Sequence, residues 1–132
     1  MLGQVIGGSL GAMQAMRWSV RYPLKLRNSI IIASAIKLSA QNIAFNEMTR
    51  RAIKSGPHFK VGNYADHDTK PIQGLALARM IGHVTYLSDQ SMGKRFGREI
   101  RNNHVSQGRK SPFEFQVESY LRYQGEKFAQ SF

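Results

Sequence analysis

The sequence Val5-Ile6-Gly7-Gly8-Ser9-Leu10-Gly11 joins a short β-prone segment to the start of an amphipathic helix. It matches the pattern G-x-S-x-G, in which a serine lies on a sharp turn between a strand and a helix. The glycines two residues on either side prevent collisions with the neighbouring strand and helix, and the strained turn exposes the serine hydroxyl. The pattern predicts a nucleophile at Ser9, with the Leu10 N–H as a donor to an oxyanion. A phosphate-binding turn or a plain tight connection is the open alternative.

The segments that flank this turn predict one β-α-β unit. Residues 4–6 form the first strand, and residues 12–22 form a helix with Met13, Met16 and Val20 on one side, ended by Pro23. The β-branched run at residues 29–33 is typical of a strand buried on both faces. We expect the two strands to be parallel, with a right-handed crossover.

The rest of the chain is predicted to be helical. Periodic apolar residues indicate helices over residues 39–55, 72–87 and 89–101, with a polar loop at 57–71 and a polar segment at 102–110. Ser111-Pro112-Phe113-Glu114 predicts a capping box at the start of a last helix that runs to Ala129. Because two parallel strands do not make a stable sheet alone, we expect another chain, or a longer polypeptide, to complete the sheet.

Composition narrows the possible functions. The chain has 132 residues, of which 42% are hydrophobic and 20% charged, so one ordered domain is expected. The absence of cysteine excludes disulfides and thiolate metal sites. The longest apolar run, residues 30–33, is too short to cross a bilayer. No signal peptide is recognised, which predicts a cytoplasmic protein with no membrane partner.

The net charge of +11 raises the question of a polyanionic partner. The basic residues are spread along the chain without a block typical of a nucleic-acid-binding arm, so no nucleic-acid partner is expected. The cluster Asp66-His67-Asp68, with His58 nearby, lacks regular ligand spacing, and no metal is expected there.

One face of the predicted helix at residues 72–87 carries Arg79, His83 and Tyr86 at positions i, i+4 and i+7. No Asp or Glu lies between Asp68 and Asp89, so Arg79 has no local carboxylate partner. A substrate carboxylate would satisfy this guanidinium, whereas the alternative is a snorkelling surface arginine. His83 is interpreted as a packing residue.

Longer motifs extend the pattern at Ser9. These motifs are the blocks Val5 to Ala15, Lys37 to Glu47, Gly74 to His83, Thr85 to Ser88 and Val117 to Gly125. Together they resemble the homoserine O-acyltransferases of the α/β-hydrolase superfamily, although Ala12 stands where that family typically has glycine.

The resemblance implies an α/β fold with two parts. Residues 1–36 would be a partial α/β-hydrolase core, comprising one strand–elbow–helix–strand unit, and residues 37–132 a mostly helical lid. The implied reaction moves an acetyl or succinyl group from acyl-CoA to the hydroxyl of L-homoserine, a step of methionine biosynthesis, through an acyl-Ser9 intermediate. Arg79 would bind the homoserine carboxylate and Tyr86 would line the same pocket.

The resemblance also implies what this sequence does not contain. The family's triad Asp and His would lie outside it, so the chain alone is expected to be inactive. Acyl-CoA is implied as a co-substrate, with no permanently bound cofactor, and the full-length protein is expected to dimerise through lid helices. The sequence does not decide between acetyl-CoA and succinyl-CoA as the acyl donor. The alternative functions are a serine O-acetyltransferase or esterase of the same fold and a non-catalytic basic binding module.

Overall fold

The structure is a computed structural model that describes residues 2–100 and 114–132. The chain divides into two compact units, an N-terminal unit Met1–Gln41 and a C-terminal unit Asn42–Phe132. The predicted division into residues 1–36 and 37–132 as core and lid stays a prediction. Among the described residues, no helix combines the length and hydropathy needed to cross a membrane.

The N-terminal unit is a strand–helix–strand unit. Strand β1 (Leu2–Gly8) leads through Ser9 into helix α1 (Leu10–Arg21), and a 3-10 turn at Pro23–Lys25 precedes strand β2 (Leu26–Ile32). The strands are parallel, with Ile6 opposite Ile30 and Gly8 opposite Ile32. The predicted order of elements and the parallel pairing are confirmed, and each strand is longer than its apolar run.

Helix α1 packs on the strands through small residues. Ala12 and Ala15 are buried, whereas Val20, predicted to lie on the apolar side of the helix, is 83% exposed. Ser19 continues the packed face by one turn, and its hydroxyl shares a hydrogen bond with the Ser29 hydroxyl on β2. Alanine faces allow the helix backbone to approach the sheet closely, a role that hydrophobic periodicity alone does not reveal.

Strand β2 is not buried on both faces as its sequence predicts. Its isoleucines Ile30, Ile31 and Ile32 are 44%, 38% and 53% exposed. The described sheet contains only β1 and β2, so neither face of β2 is fully covered and each strand has one unpaired edge. The burial on both faces that its β-branched sequence predicts is therefore not found among the described residues.

The C-terminal unit is helical. Its helices are α2 (Ala40–Lys54), which begins just before the unit boundary, α3 (Ile72–Tyr86), α4 (Asp89–Phe96) and α5 (Gln116–Ser131). The predicted loop between α2 and α3 contains two 3-10 segments, Pro57–Gly62 and Ala65–His67. The main packing contact is between α3 and α5.

Two glycines allow the helices of this unit to meet closely. A Cβ built on Gly125 of α5 would lie 2.7 Å from the carbonyl oxygen of Ala76 on α3. A Cβ on Gly74 of α3 would lie 2.6 Å from the carbonyl oxygen of Ala52 on α2. Both distances are too short for a side chain, so these crossings require glycine.

Two helix boundaries differ from the sequence prediction by more than two residues. Helix α4 ends at Phe96 rather than near residue 101, because Gly97 adopts φ of 52° and ends the helix. Helix α5 begins at Gln116, where the Phe115 N–H donates to the Glu118 carboxylate at 2.7 Å. Glu114, predicted as the capping glutamate, instead pairs with Arg122. The predicted capping residues 111–113 lie outside the described residues.

Candidate active site

Ser9 occupies a strained turn between β1 and α1. Its backbone has φ of 52° and ψ of −117°, a combination that costs a residue with a side chain about 1–3 kcal/mol. Its N–H donates to the Ile32 carbonyl oxygen of β2 at 3.0 Å, and its own carbonyl oxygen accepts from the Ala12 and Met13 amides of α1. Hydrogen bonds on both sides therefore hold the strained backbone, and the side chain is exposed.

Of the two glycines flanking Ser9 in the motif, only Gly7 is required by close contact within the described residues. A Cβ on Gly7 would lie 2.2 Å from the carbonyl oxygen of Gly11, inside any possible contact distance. A Cβ on Gly11 would have no atom of the described chain within 4 Å. The predicted collision is confirmed at Gly7, whereas at Gly11 the described residues contain nothing to collide with.

Leu10 is the first residue of α1. The first amides of a helix have no carbonyl partner within it, and the helix dipole favours negative charge at this end. The Leu10 N–H therefore lies beside the serine in a position suited to an oxyanion formed at Ser9, and this role stays a prediction.

The N-terminal unit contains no carboxylate or histidine to act as a general base for Ser9. Residues 1–41 include no Asp, Glu or His, and their ionisable side chains are basic or phenolic. A serine hydroxyl is a weak nucleophile without a base to accept its proton. A carboxylate or histidine base for the predicted nucleophile Ser9 would therefore have to come from outside this unit.

Arg79 lies on α3 in the C-terminal unit. Its Nε is buried and has no hydrogen-bond partner among the described residues, and its guanidinium carbon lies 5.1 Å from the ring centroid of Phe128 on α5. No carboxylate within residues 2–100 and 114–132 pairs with it, as the sequence indicates. Arg79 is thus a partly buried cation that contacts an aromatic ring and has no counter-ion in the described part of the chain, an arrangement suited to an anionic ligand.

His83 lies one turn along α3 from Arg79. Its Nδ1 shares a hydrogen bond of 2.8 Å with the Tyr120 hydroxyl of α5, whereas its buried Nε2 has no partner in the described structure. Burial lowers the pKa of His83 below its usual value, and the positive charges of Arg79 and Arg95 lower it further. His83 is a packing residue, as predicted, but one ring nitrogen is left unsatisfied.

Tyr86, the second predicted pocket residue, is 65% exposed at the C-terminal end of α3. Its ring packs edge-on against His83, with centroids 5.4 Å apart. The structure therefore places Tyr86 beside His83, on the helix that carries Arg79. Ser9 and Leu10 lie in the N-terminal unit, and Arg79 and Tyr86 in the C-terminal unit.

The sequence prediction did not include Tyr120. This residue lies 37 positions from His83, and its ring contacts both His83 and Phe96. No local pattern could have identified this long-range contact. Within the described residues, no group of three or more His, Asp or Glu side chains is arranged to hold a metal ion.

The chain is similar in sequence to homoserine O-succinyltransferases. It is 61% identical over 128 residues to that of Cellvibrio japonicus, a match that covers 97% of this chain and 34% of the relative. It is 61% identical over 125 residues to that of Dechloromonas aromatica, covering 95% of this chain and 33% of the relative. The predicted resemblance is confirmed, and the chain spans about one third of the length of these curated relatives. No protein-family model matches the chain.

Solved structures with similar folds are also much longer than this chain. A homoserine O-acetyltransferase from Bacillus anthracis matches with a TM-score of 0.74 at 20% identity, over 94% of this chain and 32% of its own. An acetylester hydrolase from Corynebacterium glutamicum matches with a TM-score of 0.68 at 24% identity, over 98% of this chain and 33% of its own. These proteins have the α/β-hydrolase fold, and the predicted fold class is confirmed.

Proposed function

We propose that this chain carries the nucleophile and a substrate-binding arginine of a homoserine O-acyltransferase. It corresponds in sequence to one third of the homoserine O-succinyltransferases. The observation that carries the proposal is the backbone of Ser9, held in a strained turn at the N-terminus of α1. The whole enzyme would use acyl-CoA and L-homoserine and would act in methionine biosynthesis in the cytoplasm.

In the first half-reaction, the Ser9 hydroxyl attacks the thioester carbonyl carbon of acyl-CoA. The serine proton passes to a general base, and the negative charge on the carbonyl oxygen is stabilised by the Leu10 N–H at the start of α1. The tetrahedral intermediate collapses with cleavage of the C–S bond, and the base returns the proton to the CoA sulfur. The acyl group remains on Ser9 as an ester.

In the second half-reaction, the hydroxyl of homoserine attacks the acyl-serine carbonyl and gives its proton to the same base. Collapse releases O-acyl-homoserine and returns the proton to Ser9. Arg79 binds the homoserine carboxylate, because a guanidinium with a buried Nε and no carboxylate partner in the described chain matches that group. Tyr86 contributes to the same pocket from the end of α3.

The general base and the group that orients it belong to parts of the enzyme outside Met1–Gln41, which has no acidic residue or histidine. We propose that they come from the other two thirds of the enzyme, since the curated relatives are about three times as long as this chain. The names of those relatives favour succinyl-CoA as the donor over acetyl-CoA.

The test uses a chimera in which this chain replaces the matching third of the Cellvibrio japonicus enzyme. We expect the chimera to release CoA from succinyl-CoA continuously only in the presence of L-homoserine, with no more than one CoA per Ser9 released in its absence, and we expect the chain alone to release none. Ser9→Ala should lower kcat by about 10⁴-fold or more. Acetyl-CoA and L-serine, assayed in parallel, identify the preferred donor and acceptor.

Arg79→Lys in the chimera tests the substrate-binding arginine. We expect KM for homoserine to rise by roughly 10-fold or more, because lysine does not reproduce the two parallel hydrogen bonds of a guanidinium. Arg50→Lys is the matched control, since Arg50 is an exposed arginine on α2 paired with Glu47. Full turnover in Ser9→Ala, or equal KM values for the two arginine variants, would contradict the proposal.

A further inference from the structure

The face of α3 in contact with α5 leaves two buried nitrogen atoms without partners in the described structure. These are Nε of Arg79 and Nε2 of His83. The residues lie at positions i and i+4, which places their Cβ atoms about 5–6 Å apart on one side of the helix. A buried polar atom without a hydrogen bond is costly, so each of these two atoms lacks a partner that a bound ligand could supply.

Tyr120 fixes the orientation of the His83 ring. Its hydroxyl lies 2.8 Å from Nδ1, and its ring lies edge-on to the imidazole with centroids 5.5 Å apart. The guanidinium carbon of Arg95 lies 5.0 Å from the centre of the Tyr120 ring. A cation at this position draws electron density from the phenol and favours its hydroxyl as the donor to Nδ1. In a neutral imidazole, Nε2 then carries the hydrogen.

The surroundings of this pair are positive. Arg79 and Arg95 lie near His83, and burial together with these charges lowers the pKa of His83 and favours the neutral ring. The aromatic neighbours of the imidazole are Tyr86 and Tyr120, and no ion pair joins Arg79 or Arg95 to a carboxylate among the described residues. Two N–H donors in a positive environment match an oxygen anion and disfavour a cationic group.

We propose that the Arg79 guanidinium and the His83 Nε2–H together bind one carboxylate, with Tyr120 as the positioning residue that holds His83 in the required tautomer. This inference rests on the proposed function, in which the carboxylate is that of homoserine. It assigns His83 a direct contact with substrate rather than packing alone. The carboxylate is thereby held by donors on two side chains, which fixes its direction as well as its position.

The test is a nitrogen-detected NMR titration of the full chain with L-homoserine, followed on the His83 ring and the Arg79 side chain. We expect free His83 to show an unprotonated Nδ1 and a protonated Nε2. Homoserine should shift the His83 Nε2–H and Arg79 Nε–H signals with a single dissociation constant. Acetate should shift the same signals, and L-homoserinamide, which lacks the carboxylate, should leave them unchanged.

Three variants complete the test. His83→Leu removes the donor and should weaken homoserine binding by roughly 10-fold, whereas His83→Gln keeps an N–H at this site and should retain most of the affinity. Tyr120→Phe should give a mixture of His83 tautomers and an intermediate affinity. A protonated Nδ1 in the free chain, or a His83 ring that homoserine leaves unshifted, overturns the inference. If homoserine shifts the NMR signals of Arg79 but not those of His83, the proposed role of Arg79 stands. The role of Ser9 is tested separately by the CoA-release assay of the chimera.

Discussion

At the scale of single residues, Ser9 adopts a backbone conformation that its own side chain disfavours. Glycine reaches positive φ without that cost, so we expect Ser9→Gly to raise the free energy of unfolding of the chain by about 1 kcal/mol. Ser9→Ala keeps the Cβ and should leave stability almost unchanged. Urea denaturation followed by circular dichroism measures both variants. Equal stabilities for the glycine and alanine variants would argue against strain at Ser9.

The two motif glycines should respond in opposite directions to the same substitution. Gly7→Ala places a Cβ 2.2 Å from the Gly11 carbonyl oxygen and should destabilise the chain by about 3 kcal/mol. Gly11→Ala meets open space in the first turn of α1 and should stabilise it by about 0.5 kcal/mol. Thermal unfolding of the two variants, compared with Gly8→Ala as a second open position, tests this contrast. A destabilised Gly11→Ala would show that this position is in fact crowded.

His83 predicts a dependence of stability on pH. Its folded pKa lies below the usual value of 6.5, so the unfolded chain takes up a proton first as the pH falls. The free energy of unfolding should therefore decrease as pH falls below about 6.5 and level off below the folded pKa. His83→Gln, which does not titrate, should flatten this part of the curve. Urea midpoints at pH 7.5, 6.5 and 5.5 give the comparison, and parallel curves for the two proteins would contradict it.

The sequence identified several of these residues but not their environments. The G-x-S-x-G pattern predicts the turn at Ser9 because its glycines and neighbours are local in sequence. The spacing of Arg79, His83 and Tyr86 likewise predicts a shared helix face. The contacts of Arg79 with Phe128 and of His83 with Tyr120 join separate helices, and no local pattern encodes them.

At the scale of elements, the crossing of α3 and α5 depends on Gly125. A methyl group there would lie 2.7 Å from the Ala76 carbonyl oxygen and 3.1 Å from Met80, so Gly125→Ala should destabilise the C-terminal unit by about 2 kcal/mol. Gly93→Ala is the matched control, since Gly93 is an exposed helical glycine of α4 with nothing within 4 Å. Thermal unfolding is the measurement. Similar melting temperatures for both variants would show that the crossing tolerates a side chain.

The sequence correctly predicted which segments form helices and which form strands. It did not predict the burial of the strands or the ends of some helices. Apolar periodicity is strong in α2, α3 and α5, so their existence was clear from the sequence. The end of α4 depends on the conformation of Gly97, and the start of α5 on the bond from Phe115 to Glu118. Each of these two helix ends is set by a single local interaction, and neighbouring residues offer other possible helix caps. The burial of β2 was predicted from its β-branched run, but within the described residues its only strand neighbour is β1 and its isoleucines are exposed.

At the scale of the whole molecule, the two units should differ in local stability. The N-terminal unit has a parallel sheet of two strands with exposed isoleucines, and the C-terminal unit has the packed pair α3 and α5. We expect backbone amides of β1 and β2 to exchange hydrogen for deuterium faster than those of α3 and α5. Mass spectrometry of peptides from the intact chain measures this. Equal protection of the two units would contradict the expectation.

The bond from the Ser9 N–H to the Ile32 carbonyl oxygen sets an order of events during folding. The acceptor lies at the end of β2, so the turn cannot complete its hydrogen bonds until the chain has passed through α1 and returned beside β1. Closing that crossover costs loop entropy before any strand contact is gained. During synthesis, Ser9 leaves the ribosome well before its partner does. The hydrogen bond that holds the strained backbone of Ser9 therefore forms only after the crossover has closed.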